Sequence, residues 1–296
     1  MLSVLDIFRI GIGPSSSHTV GPMRIARTFI RSLAKSGKLE KVARATVELQ
    51  GSLALTGVGH GTVDATILGL MGFAPDRTCP DEATAALQKV GSEKRLELGG
   101  SQPIAFDPAG DIDLAGHIIP DLHPNGMVLR AYDKAGGILL ERTYFSTGGG
   151  FVASEAQLRR PPKDDRVKAG ADVPHPFGSA KELLALCAEH DLTVADLILA
   201  NEDAMRPREG TIAGLDRIAA AMDQCIDRGL TQRGILPGGL KVQRRAPDLW
   251  DKLSGNPMSN EREQLFDWLN CYAMAVNEEN AAGGRVVTAP TNGAAG

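Results

Sequence analysis

Residues Met127–Phe145, MVLRAYDKAGGILLERTYF, carry the clearest β pattern in the chain. Two runs rich in aliphatic and aromatic residues, Met127–Tyr132 and Ile138–Phe145, flank the segment Asp133-Lys134-Ala135-Gly136-Gly137. An aspartate and two glycines between such runs are typical of a hairpin turn. The stretch therefore predicts two antiparallel strands and places a sheet in the first half of the chain.

Helices and strands alternate on the amino-terminal side of this hairpin. Pro22 suits the first turn of a helix, and Ile25, Phe29 and Leu33 then form an apolar stripe along it. The same reasoning predicts helices at 22–35, 62–71 and 81–90 and strands at 41–50 and 95–106. The first part of the chain is therefore predicted to be an α/β domain.

The pattern changes after about residue 155, where a polar, proline-bearing stretch is typical of a linker. Strand patterns disappear from residue 179 onward, and helices are predicted at 179–190, 193–205, 210–228 and 262–280. We therefore predict an α+β fold in which an α/β sandwich-type domain (1–155) and a linker (156–178) precede an all-α domain (179–296). Because Thr288–Gly296 is turn-rich, we expect this second domain to be incomplete.

Composition excludes several classes of function. The chain of 296 residues has a formal net charge of −4 and a pI of about 5.9, which does not suit a nucleic-acid-binding protein. No apolar run is long enough to cross a membrane. The cysteines are Cys79, Cys187, Cys225 and Cys271, and their spacing fits neither a disulfide framework nor a zinc site. We expect a reducing cytoplasm as the compartment.

Gly11–Pro22, GIGPSSSHTVGP, is the strongest candidate for a functional segment. Hydroxyl groups and free amides before a helix can bind an anion such as a small carboxylate, and His18 could transfer protons near neutral pH. The candidate binding residues here are Ser15, Ser16, Ser17 and Thr19. The alternative is a capping loop without function, since serine and threonine favour the amino-terminal ends of helices.

Three further segments could contribute to a site. Gly57–Asp64 contains His60 between glycines that allow close approach. A strand is followed by a hydroxyl- and glycine-rich run that could bind an anion: Ser146, Thr147, Gly148, Gly149 and Gly150. Near the end of the chain, Thr291 and Asn292 could hold a ligand by hydrogen bonds. The first two segments could equally be structural turns, and for Thr291 and Asn292 the residues alone favour a plain polar turn. His117, His123, His175 and His190 are weaker candidates.

Together these segments resemble the iron–sulfur-dependent L-serine dehydratases, or L-serine ammonia-lyases. The resemblance begins with Gly11–Met23 and continues through Gly59–Asp64, Ser146–Phe151 and Thr288–Gly293, in the same order. It implies conversion of L-serine to pyruvate and ammonia in amino-acid degradation and gluconeogenesis, and a helical catalytic domain. It also implies a homodimer and a 4Fe–4S cluster held by three cysteines that we expect beyond Gly296.

The resemblance gives the candidate residues roles. Substrate would be bound by the segment Ser15–Thr19, called the serine loop below, by the Ser146–Gly150 run, and by Thr291 and Asn292. His18 and His60 are the candidates for proton transfer, and which of them is the base stays open. One alternative is a serine-binding sensor module without catalysis. Another is a pyridoxal-phosphate dehydratase, for which only Lys241 lies in a suggestive setting.

Overall fold

The chain folds around a five-stranded mixed sheet, and the computed structural model describes residues 3–160, 173–255 and 261–289. The strands are β1 Arg9–Ile12, β2 Arg44–Gln50, β3 Arg95–Leu98, β4 Gln102–Ala105, β5 Ile112–Ala115, β6 Gly126–Tyr132, β7 Ile138–Gly148, β8 Phe151–Ser154 and β9 Arg285–Thr288. The helices are α1 Val4–Ile7, α2 Gly21–Lys35, α3 Ser52–Leu55, α4 Thr62–Leu70, α5 Pro80–Glu93, α6 Pro108–Asp111, α7 Glu155–Arg159, α8 Ala180–His190, α9 Val194–Asp203, α10 Arg208–Thr231, α11 Ala246–Ser254 and α12 Glu261–Ala281.

The predicted hairpin lies within the sheet. β6 and β7 pair antiparallel, and the carboxylate of Asp133 accepts hydrogen bonds from the amides of Ala135 and Gly137 in the turn between them, at 2.9 and 2.8 Å. The strand order is β5-β2-β6-β7-β8, in which only β2 and β5 run parallel. The hairpin prediction is confirmed, and so is the mixed α+β class.

Helix α2 packs on this sheet through the apolar stripe expected from its sequence. Ile25, Phe29 and Leu33 are all fully buried and share one core with residues of β2, β6 and α4. Helix α4 crosses α2 closely, since a Cβ added at Gly69 would lie 2.4 Å from the backbone oxygen of Met23. The α2 helix thereby has a fixed position on the sheet, and its amino-terminal end is the end that carries the serine loop.

Some predicted elements differ from those of the structure. The predicted strand at 95–106 is wrong as a single element, because Gly99 and Gly100 adopt positive φ and turn the chain back between β3 and β4. The strand predicted at 41–50 begins at Arg44, after a short 3₁₀ turn at Leu39–Lys41. The three predicted helices of this part correspond to α2, α4 and α5.

The second half is helical as predicted, with two differences. The four predicted helices correspond to α8, α9, α10 and α12, but α11 was not predicted. Its start is stabilised by the carboxylate of Glu278 on α12, which accepts from the amides of Arg245 and Ala246 at 2.9 and 3.2 Å. The expectation that no strand follows residue 179 is wrong, because β9 pairs antiparallel with β1.

Two sets of contacts join the amino terminus to the helical half. One is the β1–β9 pair, in which Arg9 lies opposite Thr288. The other is the buried carboxylate of Glu202 on α9, which accepts from the hydroxyl of Ser3 and the amide of Val4 at 2.8 and 2.9 Å. These contacts attach α1 and β1 to the helices of the second half.

The predicted domain boundaries stay a prediction. Helix α7 lies at the start of the predicted linker. Residues 161–172 of that linker lie outside the described part of the chain. Among the described helices, none is both long enough and apolar enough to cross a membrane.

Candidate active site

The serine loop forms a single π-helical turn, Ser16–Val20, that continues directly into α2. Its first residue is capped by Ser15, whose hydroxyl accepts from the amide of His18 at 3.1 Å. The amide of Ser15 in turn donates to the hydroxyl of Thr19 at 3.1 Å. Single π-turns within helices often occur at functional sites. Here the turn places His18 on the side that faces α3.

The imidazole of His18 is held from both sides by serine hydroxyls. Its Nδ1 lies 2.9 Å from the hydroxyl of Ser17, and its Nε2 lies 2.9 Å from the hydroxyl of Ser52. Burial, and then repulsion from the neighbouring His60, lowers the pKa of His18 below its ordinary value of 6.5, while a hydrogen bond with the backbone of Ser52 raises it. The surroundings of His18 therefore favour its neutral form.

His60 is the second imidazole of the pair. Its ring centroid lies 4.9 Å from that of His18, and its Nδ1 lies 2.8 Å from the backbone oxygen of Thr56. Because a carbonyl oxygen only accepts, Nδ1 carries the proton, and a neutral His60 presents a lone pair on Nε2. Nε2 has no hydrogen-bond partner within the described residues. It can therefore accept a proton from a bound molecule.

Backbone contacts fix the two histidines relative to one another. The hydroxyl of Thr19 donates to the backbone oxygen of His60 at 2.7 Å, and the hydroxyl of Thr62 donates to that of His18, also at 2.7 Å. Each histidine-bearing segment thus holds the other. This arrangement predicts that the pair forms one rigid unit, as a site for proton transfer needs.

Ser146 connects the serine loop to the end of β7. Its buried hydroxyl donates to the backbone oxygen of Ser17 at 2.6 Å, and its backbone exchanges two hydrogen bonds with Asn125, each at 3.1 Å. A Cβ added at Gly21 would lie 2.0 Å from that hydroxyl, so only glycine fits at the start of α2. Ser146 therefore positions the serine loop through its backbone.

The rest of the glycine run faces a different part of the molecule. Gly148, Gly149 and Gly150 all have positive φ, which is not the alternation of right- and left-handed residues that forms a typical anion nest. The backbone oxygen of Gly150 accepts from the guanidinium of Arg24 at 2.9 Å, and Thr147 is exposed. Ser16 is buried within the π-turn. Thr291 and Asn292 lie outside the described residues.

Sequence reasoning missed two residues of this cluster. Ser52 opens α3 directly after β2, where Gly51 has a φ of 51° and turns the chain toward His18. Asn125 precedes β6 and binds the backbone of Ser146. The signal for Ser52 is local, since a glycine followed by serine after a buried strand is typical of a capped turn. The contact between this turn and His18 depends on the tertiary structure, and the local sequence does not indicate it.

A cavity of about 350 Å³ lies beside the histidine pair. Its wall contains the immediate neighbours of the two histidines, Thr19, Gly59 and Gly61, and on the other side Ala281–Gly283 from the end of α12. The carboxyl of Asp64 also faces the cavity. Burial raises the pKa of this carboxyl above the ordinary value. The imidazole rings themselves are not part of the wall.

The cysteines do not form a cluster site within the described residues. No three histidine, cysteine or acidic side chains in the described ranges come together to hold a metal. Burial, and then the nearby Glu279, raises the pKa of the Cys225 thiol to about 11, and burial raises that of Cys271. Because iron binds the thiolate, such thiols are poor ligands. The cysteines of this part do not fit a 4Fe–4S cluster.

Lys241, on which the pyridoxal-phosphate alternative depended, is an exposed residue in a turn, with a φ of 52°. A lysine that forms a Schiff base with a cofactor usually lies in a desolvated pocket. The side chain of Lys241 is exposed to solvent instead.

The lowered pKa of His18 can be tested by titration. We expect Ser52→Ala to leave that pKa below 6.5, because the contact that raises it is with the backbone of Ser52, which alanine keeps. The measurement is the pH dependence of the imidazole resonances by NMR, with Ser92→Ala on the exposed face of α5 as control. A folded-state pKa below 6.5 also means that the free energy of unfolding decreases as the pH falls from 6.5 toward the folded-state pKa of His18. In that range the unfolded chain binds the proton more readily than the folded protein does. A His18 pKa at or above 6.5 in the unchanged protein would contradict this description.

Comparison with known proteins identifies the family. Residues 3–157 match the family model for the serine dehydratase beta chain, and residues 189–296 match that for the serine dehydratase alpha chain. An L-serine dehydratase from Streptomyces coelicolor (strain ATCC BAA-471 / A3(2) / M145) is 48% identical over 298 residues, which cover 100% of this chain and 64% of that protein.

Two further relatives give the same result. L-serine dehydratase TdcG from Escherichia coli (strain K12) is 44% identical over 100% of this chain and 64% of its own length. An L-serine dehydratase from Mycobacterium tuberculosis (strain CDC 1551 / Oshkosh) is 42% identical over 100% and 63%. The chain therefore spans somewhat less than two thirds of the length of these curated relatives. With the beta-chain model alone matching residues 3–157 of 296, the chain belongs to the serine dehydratase family.

Proposed function

We propose that the protein containing this chain is a lyase that converts L-serine to pyruvate and ammonia. The family match supports this assignment, and so do the relatives, which are named L-serine dehydratases from several bacteria. Within that protein, we assign the described part of this chain to substrate binding and proton transfer. The assignment of single residues is our proposal.

The observation that carries the proposal is a chain of hydrogen bonds that ends beside a free imidazole nitrogen. Ser15 and Ser17 lie 3.4 Å apart through their hydroxyl oxygens, and the chain continues from Ser17 through the ring of His18 to Ser52. His60 stands next to this chain with Nε2 open. A proton acceptor beside a path of exchangeable protons suits an elimination reaction.

L-serine must lose the proton on its α-carbon and the hydroxyl on its β-carbon. In our proposal, Nε2 of His60 takes the α-proton, and the electrons of the C–H bond form the new double bond as the C–O bond breaks. The departing oxygen takes a proton and leaves as water, and His18 with its two serines carries protons to it. The enamine product tautomerises to an imine, and water then releases pyruvate and ammonia.

The remaining candidates are assigned to binding the amino acid or to placing the residues that bind it. Hydroxyl donors suit the carboxylate of serine, and we assign this contact to Ser15 and Ser17. The hydroxyl of Thr19 already donates to the backbone oxygen of His60, so we assign Thr19 to holding the serine loop in position. Ser16 and Ser146 are buried and act through position. For Thr147, Gly148, Gly149 and Gly150, and for Thr291 and Asn292, binding of substrate stays a proposal.

The cofactor is a separate proposal. Family resemblance implies a 4Fe–4S cluster, and we propose that its ligands lie outside the described residues, since the described cysteines do not fit. We derive no step through it. All four cysteines are free thiols, which supports a reducing compartment such as the cytoplasm. A homodimer stays a prediction, and light scattering would test it.

The decisive experiment measures pyruvate. The full gene product is prepared without oxygen, its iron is quantified, and L-serine is added with D-serine as the matched control. We expect pyruvate and ammonia in equal amounts from L-serine only, and slower turnover with L-serine deuterated at the α-carbon if proton removal limits the rate. A preparation with its full iron content that produces no pyruvate would contradict the proposal.

Calorimetry on the present chain distinguishes the sensor alternative. Heat of binding with L-serine but no pyruvate from the full protein would favour a binding module. If L-serine gives neither heat of binding with this chain nor pyruvate with the full protein, both the dehydratase proposal and the sensor alternative are wrong.

A further inference from the structure

A second, larger cavity lies where the amino terminus meets the helical half. It has a volume of about 510 Å³ and is bounded by α1 and β1, by one face of α2, by the start of β8 and by α10. A cavity of this volume accommodates a small organic ligand. Its most frequent residue type is arginine: Arg9, Arg24, Arg27, Arg31 and Arg217.

The helical period explains why three of these arginines converge. Arg24, Arg27 and Arg31 follow one another at intervals of three and four residues, so they lie on one face of α2. The opposite face carries the buried stripe that packs on the sheet. The core therefore fixes the direction in which the arginine face points. Arg9 from β1 and Arg217 from α10 join it from other elements.

The positive charge of this arginine pocket is only partly balanced. Its wall contains two aspartates, Asp6 and Asp76, and Asp6 lies 3.7 Å from Arg9. Arg27, Arg31 and Arg217 form no ion pair with any described residue. Like charges that are held around one cavity repel each other, so this wall favours an anion.

The surroundings of Arg24 disfavour its positive charge. Burial, and then repulsion from Arg9, lowers the pKa of Arg24 below its ordinary value. A guanidinium stays charged in proteins near neutral pH. The guanidinium of Arg24 donates to the backbone oxygen of Gly150, and that of Arg9 stacks 3.9 Å from the centre of the Phe151 ring. Two of the five arginines are thus held in place by their surroundings. A pre-positioned guanidinium loses little entropy when it binds an anion.

We propose that the arginine pocket binds a small anion with two or more negative charges, of the phosphate or polycarboxylate class. Guanidinium groups bind both by paired, charge-assisted hydrogen bonds, and several of them around one cavity favour a multiply charged ligand over a single carboxylate. L-serine, which has no net charge at neutral pH, does not match this pocket.

Such an anion would connect parts of the fold that carry the histidine pair. Arg24 lies four residues after the π-turn that holds His18, and it contacts the glycine run that follows Ser146. Arg217 belongs to α10 of the helical half. A ligand held by both would therefore fix the position of the helical half relative to α2. Binding itself is independent of any catalytic activity.

Isothermal calorimetry on the present chain at 0.15 M salt tests the proposal, with sodium pyrophosphate and citrate as the two probes and sodium chloride at equal ionic strength as control. We expect a dissociation constant below about 1 mM for at least one probe. Pyrophosphate alone would identify the phosphate class, and citrate alone the polycarboxylate class. Absence of binding by both at 10-fold higher concentration (about 10 mM) would overturn the proposal.

Paired variants locate the site. The double substitution Arg27→Ala and Arg31→Ala should weaken binding by about tenfold or more, because two charged donors are lost. Arg95→Ala with Arg142→Ala removes the same charge from exposed positions outside the pocket and should leave the affinity within about twofold. Equal loss in both double variants would mean that net charge alone attracts the anion and would overturn the proposal. Circular dichroism checks that both are folded.

Discussion

The substitution His60→Asn is expected to lower the turnover number for L-serine by about a thousandfold in the full protein, with little change in KM. Positioned acid–base groups contribute factors of about 10² to 10⁴ to rate. Asparagine can keep the donor that binds the backbone oxygen of Thr56, because its amide nitrogen occupies the place of Nδ1. It removes Nε2, which in our proposal takes the α-proton.

His117→Asn is the matched control, since His117 is an exposed residue in a loop. It should change neither constant by more than about twofold. A His60→Asn enzyme with normal turnover, or one in which only KM rises, would remove His60 from proton transfer and leave it a binding role. Solvent exchange of the α-proton, followed by NMR, gives an independent readout that does not depend on release of products.

The substitution Gly69→Ala is expected to destabilise the protein by about 1–3 kcal/mol, the usual cost of overpacking a core. The new methyl group would lie 2.4 Å from the backbone oxygen of Met23 and 2.8 Å from the Cβ of Ala26. Neither atom can rotate away, because both belong to α2, which the sheet holds in place. The gain in helix propensity, about 1 kcal/mol, is smaller than the cost of separating two packed helices.

Gly91→Ala on α5 provides the comparison. A Cβ at Gly91 meets no atom within 4 Å, and its φ is not positive, so alanine should stabilise the helix by about 0.5 kcal/mol. Urea denaturation of both variants gives the two values. If Gly69→Ala were as stable as the unchanged protein, the close crossing of α2 and α4 would have to be looser than described.

Local patterns were sufficient for the elements that follow a simple period. The apolar stripe of α2 and the aspartate–glycine turn after Tyr132 each contain the whole signal within a few residues. The strand expected at 95–106 failed because its propensities suit either one strand or two, and only the glycines at 99 and 100 decide between them. β9 was missed because four residues without alternation become a strand only by pairing with β1.

The candidate site shows the same division. His18, His60 and the serines around them stand out in the sequence because of their composition, and the structure brings the two histidines together across 42 residues of chain. Ser52 does not stand out, because its role depends on where α3 meets the π-turn. The arginine face of α2 was readable as a period of three and four, but an exposed arginine stripe usually faces solvent. Only the contributions of β1 and α10 turn it into a pocket.

The pairing of β1 with β9 has a consequence for synthesis of the protein. Thr288 leaves the ribosome 279 residues after Arg9, and at about 5–20 residues per second this interval lasts roughly 15–55 seconds. During that time the nascent β1 has no strand to pair with, and its backbone groups are open to other chains. The edge of β1 is therefore open to pairing with other chains until β9 emerges. Translation that stops before residue 285 would release a chain whose first strand stays unpaired.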